Sequence, residues 1–354
     1  MTELRSPRVT AGDDAAALEW LHEQHRTDGL PVVIPTPQRV QSLLDATGLD
    51  PSVVLGHIGP TMGEATGENV AINAVMAGCL PQHLAVLVAA VRAVCDPVLD
   101  MTEVQSTTHC VAPLIIANGP EAARAGLASG FGVLSYGHRA NVSIGRALRL
   151  CLINIGGGFP GVSDLALHGH PGALAYCIAE DEETSPFPPL HTSFGYDAGD
   201  STVTIANVEA PHSVLVLPEA GDPTMADRIL ATLAHALSSL GANNAHSGTG
   251  AVVVLLNPDH ANALASAGHD RSSIQNALAE LAGARVADHR RVAPPARLPH
   301  FAAMADDDRV RSIRDPAQVL VVVAGGTGLY SVVMPSWGAG PHSNRALTVP
   351  VLPL

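Results

Sequence analysis

The chain has 354 residues, enough to bury a full core as one large or two ordinary domains. Its 33 acidic residues outweigh 19 basic ones for a formal net charge of -14, which argues against a phosphate backbone as partner, so no nucleic acid is expected. Every basic residue is arginine, which excludes a Schiff-base lysine, a lysine-linked pyridoxal phosphate, a Ser-Lys dyad and a Walker lysine.

Apolar residues make up 47% of the chain but aromatics only 3%, so the core must be built from Ala, Val, Leu and Ile. No run approaches the roughly 20 apolar residues of a membrane-spanning helix, and Met1-Thr2-Glu3-Leu4-Arg5 lacks the pattern of a signal peptide. The expectation is a soluble cytoplasmic protein with no membrane partner. Cys79, Cys95, Cys110, Cys151 and Cys177 are odd in number and never form a C-x-x-C pair, which speaks against a disulfide framework or a zinc knuckle. Cys79, just before Pro81, and Cys177, near an acidic run, are kept as candidate reactive thiols.

In chain order, residues 13–24 predict a short helix and residues 28–37 an extended arm stiffened by proline. Thr36-Pro37 starts a helix whose apolar face is Val40, Leu43 and Leu44. Two more helices are expected over 68–77 and 81–94, the second apolar throughout and therefore buried. A repeat of order follows: residues 113–126 and 252–268 each read as an apolar strand, an Asn/Pro turn and an alanine helix, and each follows a long alanine-rich helix. Further strands are expected over 173–179, 201–208, 213–217, 318–324 and 329–334, with 288–308 as a surface connection. Apolar runs without alternation belong to strands covered on both faces. The fold class is therefore α/β, with a mixed sheet or sheets and two related halves, 1–200 carrying most of the polar site and 201–354.

The densest chemistry lies between Gln105 and His191. His168-x-His170 is a candidate pair of metal ligands, with Asp164, His191 or a carboxylate from the run Glu180 to Glu183 to complete a divalent site. Thr108, His109, Asn118, Arg139, Asn141 and Arg146 form a second group. There an arginine and the amides of a helix start suit a carboxylate or phosphate, while capping by Asn141 is the competing reading. Glu180 closes a strand and His191 returns toward it, a candidate acid/base pair; His109 is a further candidate. Gly156-Gly157-Gly158 and Gly325-Gly326-Thr327-Gly328 match no dinucleotide fingerprint and read as close backbone approaches lining a pocket.

The segments Asp28-Gly-Leu-Pro-Val-Val, Val70-Ala-Ile-Asn-Ala-Val-Met-Ala-Gly-Cys79, Arg139-Ala-Asn-Val-Ser-Ile-Gly-Arg-Ala-Leu-Arg149, Gly169-His-Pro-Gly172 and Val323-Ala-Gly-Gly326 resemble a family of uncharacterised bacterial proteins with no known reaction. The resemblance spans nearly the whole chain. It implies one unit, and a thiol or selenol redox protein as a neighbour.

Three functions stay open on the sequence. The first is an enzyme on a small anionic metabolite, of the lyase or hydrolase class, using His and Glu for proton transfer with or without a divalent metal. The second is a thiol-dependent redox enzyme using Cys79 or Cys177 with a redox partner protein, and the third is a non-catalytic small-molecule binding protein. The alanine-rich apolar surface is compatible with a homodimer.

Overall fold

The computed structural model describes residues 4–219 and 221–354. The first part of the chain runs α1 (Asp14–Glu23), α2 (Pro37–Thr47), β1 (Val54–Ile58), β2 (Gly63–Thr66), α3 (Gly67–Met76), α4 (Leu84–Val94) and α5 (Met101–Ser106). It continues through β3 (Ala112–Asn118), α6 (Pro120–Ala125), α7 (Arg139–Asn154), β4 (Cys177–Ala179), β5 (Thr202–Val208) and β6 (His212–Leu215). The rest comprises α8 (Met225–Ala236), α9 (Asn243–Ser247), β7 (Val252–Leu256), α10 (Pro258–Ser266), α11 (Arg271–Leu281), β8 (Gly283–Arg285) and α12 (Val286–Val292). The last strands are β9 (Arg309–Arg311), β10 (Val319–Val323), β11 (Tyr330–Met334) and β12 (Leu347–Pro350).

Local signals set these boundaries. The Thr36 hydroxyl accepts from Arg39 N at the start of α2, Pro37 opens the helix, and Gly48 ends it in the left-handed region at φ 77°. Asn257 caps α10 through His260 N, again followed by proline.

The α/β class holds, with mixed sheets. Two four-stranded sheets carry orders β12-β5-β3-β4 and β10-β7-β11-β6. They have one construction. In each, a central strand (β3 or β7) has a parallel neighbour (β4 or β10) on one side and two successive antiparallel strands on the other. The outermost strands are exchanged: β6 follows β5 in the chain but pairs with β11, and β12 follows β11 but pairs with β5. The expected division at residue 200 therefore falls short of the architecture, since β5 and β12 both lie beyond it and complete the first sheet. The sheets meet where Val208 bridges Ser336.

Period-two alternation distributes the side chains over four layers. Leu114, Ile116, Ile178, Ala206 and Val208 of the first sheet pack against Val253, Leu255, Leu320, Val322 and Met334 of the second, forming the inner core. The intervening positions, Ile115, Ala117, Cys177, Val203 and Ile205, face outward onto α3, α4 and α7. Val252, Val254, Leu256, Val319, Val321 and Val323 likewise face α8, α10 and α11. Strands β3, β5, β7 and β10 are covered on both faces, which is why they read as largely apolar runs, while the edge strands β6 and β12 are partly exposed.

Three local expectations need correction. Strand β4 is confined to Cys177–Ala179, because Pro171 opens a 3-10 turn over Pro171–Ala173. The segment 288–308 is not bare connection: it holds most of α12 and a 3-10 stretch, Pro295–Phe301, whose Phe301 is buried beside His289. The hairpin β1–β2 was not anticipated, its strands being short and half exposed.

Candidate functional site

At the end of the first sheet where β3 and β4 finish, Glu180 is buried and its carboxylate accepts from Asn118 Nδ2 (2.6 Å), Leu190 N (2.6 Å) and Arg271 Nη2 (3.1 Å). Arg271 opens α11, so this ion pair links one half of the fold to the other. Asn118 Nδ2 also donates to Glu182 Oε1, which the Gly119 amide shares. His191 is fully buried, and its Nε2 lies 2.9 Å from the Asp197 carbonyl. The expected pairing of Glu180 with His191 is thus not made. A carboxylate holding three donors, one of them a guanidinium from the other half, is a structural link.

The anion site expected at the start of α7 is also corrected. Asn141 is buried and clamps one residue, accepting from Ala128 N (2.9 Å) and donating to Ala128 O (3.0 Å). Arg139 is exposed and donates to the Gly78 carbonyl at 3.3 Å. Arg146 grips Asp28 with two bonds of 2.7 and 2.9 Å and adds the Leu30 and Pro31 carbonyls, fixing the extended arm. All three side chains are engaged by the protein itself.

Neither glycine loop is a ligand cradle. A Cβ at Gly156 would strike Ile58, one at Gly157 would strike Thr61, and one at Gly158 would strike Gln105, so this loop is small in order to pack on the β1–β2 hairpin and α5. At the second loop the Gly325 amide donates to Ser129 O (2.7 Å), and a Cβ at Gly326 would run into the Phe131 ring.

The thiols are sequestered. Cys79 Sγ donates to the Ser143 carbonyl, and burial pushes its pKa up to about 12 against a weaker opposing pull from Arg139. Burial also raises Cys177, with Cys79 adding to the shift. The thiolate, which is the reactive form, is disfavoured at both. His168 is exposed while His170 is turned inward, and among the described residues no three His, Cys, Asp or Glu side chains converge as a metal would require.

The opposite end of the first sheet, where β3 and β4 begin and β5 finishes, gathers a different set. His109 lies just ahead of β3; its Nε2 is 2.9 Å from Glu209 Oε1 and its Nδ1 is 3.0 Å from Asn243 Nδ2. If the Asn243 amide donates, Nδ1 is the acceptor and Nε2–H points at the carboxylate. Thr108 contributes its carbonyl, which accepts from Leu167 N and holds the overlying segment in place. Tyr176 precedes β4, and its hydroxyl donates to the Glu209 carbonyl (3.0 Å). The ring of His170 meets that of Tyr176 edge-on at 5.6 Å.

His170 is the unusual member. The Val208 carbonyl lies close to its ring, but neither ring nitrogen completes a well-formed hydrogen bond although both are sealed from solvent. Desolvation lowers its pKa, with Arg149 and His109 acting in the same sense and the Val208 carbonyl and Glu209 opposing. Arg149 comes from α7 and is partly buried. Its Nε donates to Ala173 O (2.7 Å), and it forms no ion pair among the described residues. Desolvation lowers its pKa too, against the attraction of Asp164 and Asp28. A desolvated guanidinium near an imidazole that lacks a well-formed hydrogen bond can hold an anion and exchange a proton with it.

The sequence singles out Thr108 for substrate binding, His109 for catalysis and His170 as a metal ligand with His168, without joining the three, and it does not point to Arg149, Tyr176, Glu209 or Asn243. Arg149 was visible as the third arginine of α7. Glu209 and Asn243 are 100 and 134 positions from His109, so no local spacing could have joined them. Compared with models of known protein families, with curated proteins and with solved structures, the chain shows no match.

Proposed function

We propose that the protein is an enzyme acting on a small anionic metabolite by acid–base chemistry, in the lyase or hydrolase class, at the corner formed by His109, Arg149, His170, Tyr176 and Glu209. The observation that carries this reading is the coincidence of Arg149, a guanidinium without a carboxylate partner, and His170, a sealed imidazole with no well-formed hydrogen bond and only the Val208 carbonyl near it, in one desolvated place. Unpaired buried polar groups are destabilising, so their retention together supports a ligand that completes them.

In this reading Arg149 takes the carboxylate or phosphate of the substrate through its terminal nitrogens. His170, kept neutral by burial, accepts a proton from the substrate or from a water and returns it later in the cycle. Tyr176 sets the ring of His170 at its edge, and the Glu209 carboxylate supplies the negative charge that steadies an imidazolium once formed. The sequestered thiols weigh against the thiol-dependent alternative.

The test uses a pool of small carboxylates and phosphate esters incubated with the protein in D2O and followed by mass spectrometry. At least one compound should be transformed or gain deuterium, with the rate falling 100-fold or more in folded His170→Asn, in line with the roughly 10²–10⁴-fold typical of general acid–base groups. A compound that stabilises wild type but not Arg149→Gln, with nothing transformed, would favour the binding protein. Turnover undiminished in His170→Asn would place the chemistry elsewhere.

A further inference from the structure

The corner just described has a counterpart in the second sheet. Nine positions ahead of Asn118 stands His109, and nine positions ahead of Asn257 stands Gly248. By strand register Cys177 lies opposite Ile115 and Val321 opposite Val254, each three positions ahead of the corresponding asparagine, so Tyr176 and Leu320 are equivalent. Where the first corner is filled by an imidazole and a phenol, the second has a glycine against which the Arg314 side chain packs, and a leucine. A cavity of about 310 Å³, lined in part by Leu320, lies at the start of β7 and β10. Its size is at the lower end of ligand pockets, roughly 300–1,000 Å³.

The groups facing this cavity have unused hydrogen-bonding capacity. Arg345 makes no ion pair among the described residues. Gln318 accepts from Asp315 N through its oxygen, which leaves its amide N–H groups for another partner. Asp315 accepts from Ala317 N through Oδ1, leaving Oδ2. Phe194 and Leu320 supply apolar wall. A guanidinium and an amide donor stand with one half-engaged carboxylate around an apolar surface.

We infer that this cavity binds a small zwitterion of the α-amino-acid type with an apolar side chain. Its carboxylate lies on Arg345 and Gln318, its ammonium group on Asp315, and its side chain against Phe194 and Leu320. An arginine–carboxylate contact has the geometry to anchor such a molecule, and the apolar wall favours a hydrocarbon side chain over a second charge. The site stands on observations independent of the Arg149 corner.

Isothermal titration calorimetry of the full chain with L-leucine, L-methionine and L-phenylalanine tests it, with isoamylamine and 4-methylvalerate as probes lacking one charge. At least one amino acid should bind, each single-charge probe should bind at least tenfold more weakly, and Arg345→Gln should weaken the amino acid at least tenfold. Arg345 is exposed, so the variant should fold, and Arg149→Gln should leave this binding unchanged. No heat with any of the three amino acids, or affinity undiminished in Arg345→Gln, would overturn the assignment. Loss of binding in Arg149→Gln but not in Arg345→Gln would move the ligand to the first corner.

Discussion

The two halves share one backbone plan and treat charge differently. In the first, the residue three positions beyond Cys177 is Glu180, buried and paired with Arg271 from the other half. The equivalent position beyond Val321 is Ala324, and Arg139, which opens α7 as Arg271 opens α11, reaches only a carbonyl. At the opposite end the contrast reverses in kind: the first half carries a crowded polar corner and the second an open cavity. A shared fold thus specifies where sites can lie, while single side chains decide whether a place becomes a strut, a reactive corner or a pocket.

The largest expected effect tests the strut. Arg271→Ala should destabilise the protein by roughly 3–5 kcal/mol in urea unfolding, because it leaves Glu180 buried without its cation. Arg139→Ala should change stability by no more than about 0.5 kcal/mol. Equal losses at the two positions would show that the halves handle charge alike after all.

Next in size is an exchange between corners. Tyr176→Leu gives the first corner the residue of the second; it removes a hydroxyl that donates to the Glu209 carbonyl and should destabilise by about 2 kcal/mol. The same substitution should open space beside His170, read as a new cavity in a structure of the variant. An unaltered stability with the corner closed over would break the equivalence drawn between Tyr176 and Leu320.

Acidification reaches both halves. His83 and His170 in the first, and His260 and His289 in the second, have pKa values lowered from the ordinary 6.5 chiefly by desolvation. The unfolded chain then binds more protons than the folded one below that value. The histidines' contribution to stability is therefore full above pH 6.5 and is lost as the pH falls through 6.5 toward the lowered folded values. Unfolding free energy should drop between pH 7 and 5, and His170→Asn should flatten that slope by one histidine's share. A stability that rises on acidification over this range would contradict the sign.

Much of this plan was legible in the sequence. Val252 to Leu256 and Val319 to Val323 could only be strands covered on both faces, and the Asn/Pro turns at Asn118 and Asn257 marked the repeated unit. The exchange of β6 and β12 was not legible, because a strand's partner depends on tertiary register and not on its own residues. The same limit governs the sites. His170 and His109 could be suspected from their types, but their surroundings come from Tyr176, Glu209 and Arg149 on other elements. Glu180 was recognised as special for the wrong reason, since a strand-end carboxylate looks the same in a sequence whether its partner is a proton or an arginine.

The smallest expected effect separates a buried thiol from a reactive one. Cys79 lies in the motif that ends α3, is half-buried by surface area, and donates its S–H to the Ser143 carbonyl on α7. A thiol used as a nucleophile needs a lowered pKa and access, whereas burial raises this one to about 12. Cys79→Ala removes a sulfur from the α3–α7 contact and should lower stability by roughly 1 kcal/mol, with turnover in the metabolite pool kept within tenfold. Alkylation at neutral pH should be slow in native protein and become fast only in denaturant. Rapid native alkylation of Cys79, accompanied by loss of turnover, would return the chemistry to the thiol and leave the His170 corner as a structural feature of the first half.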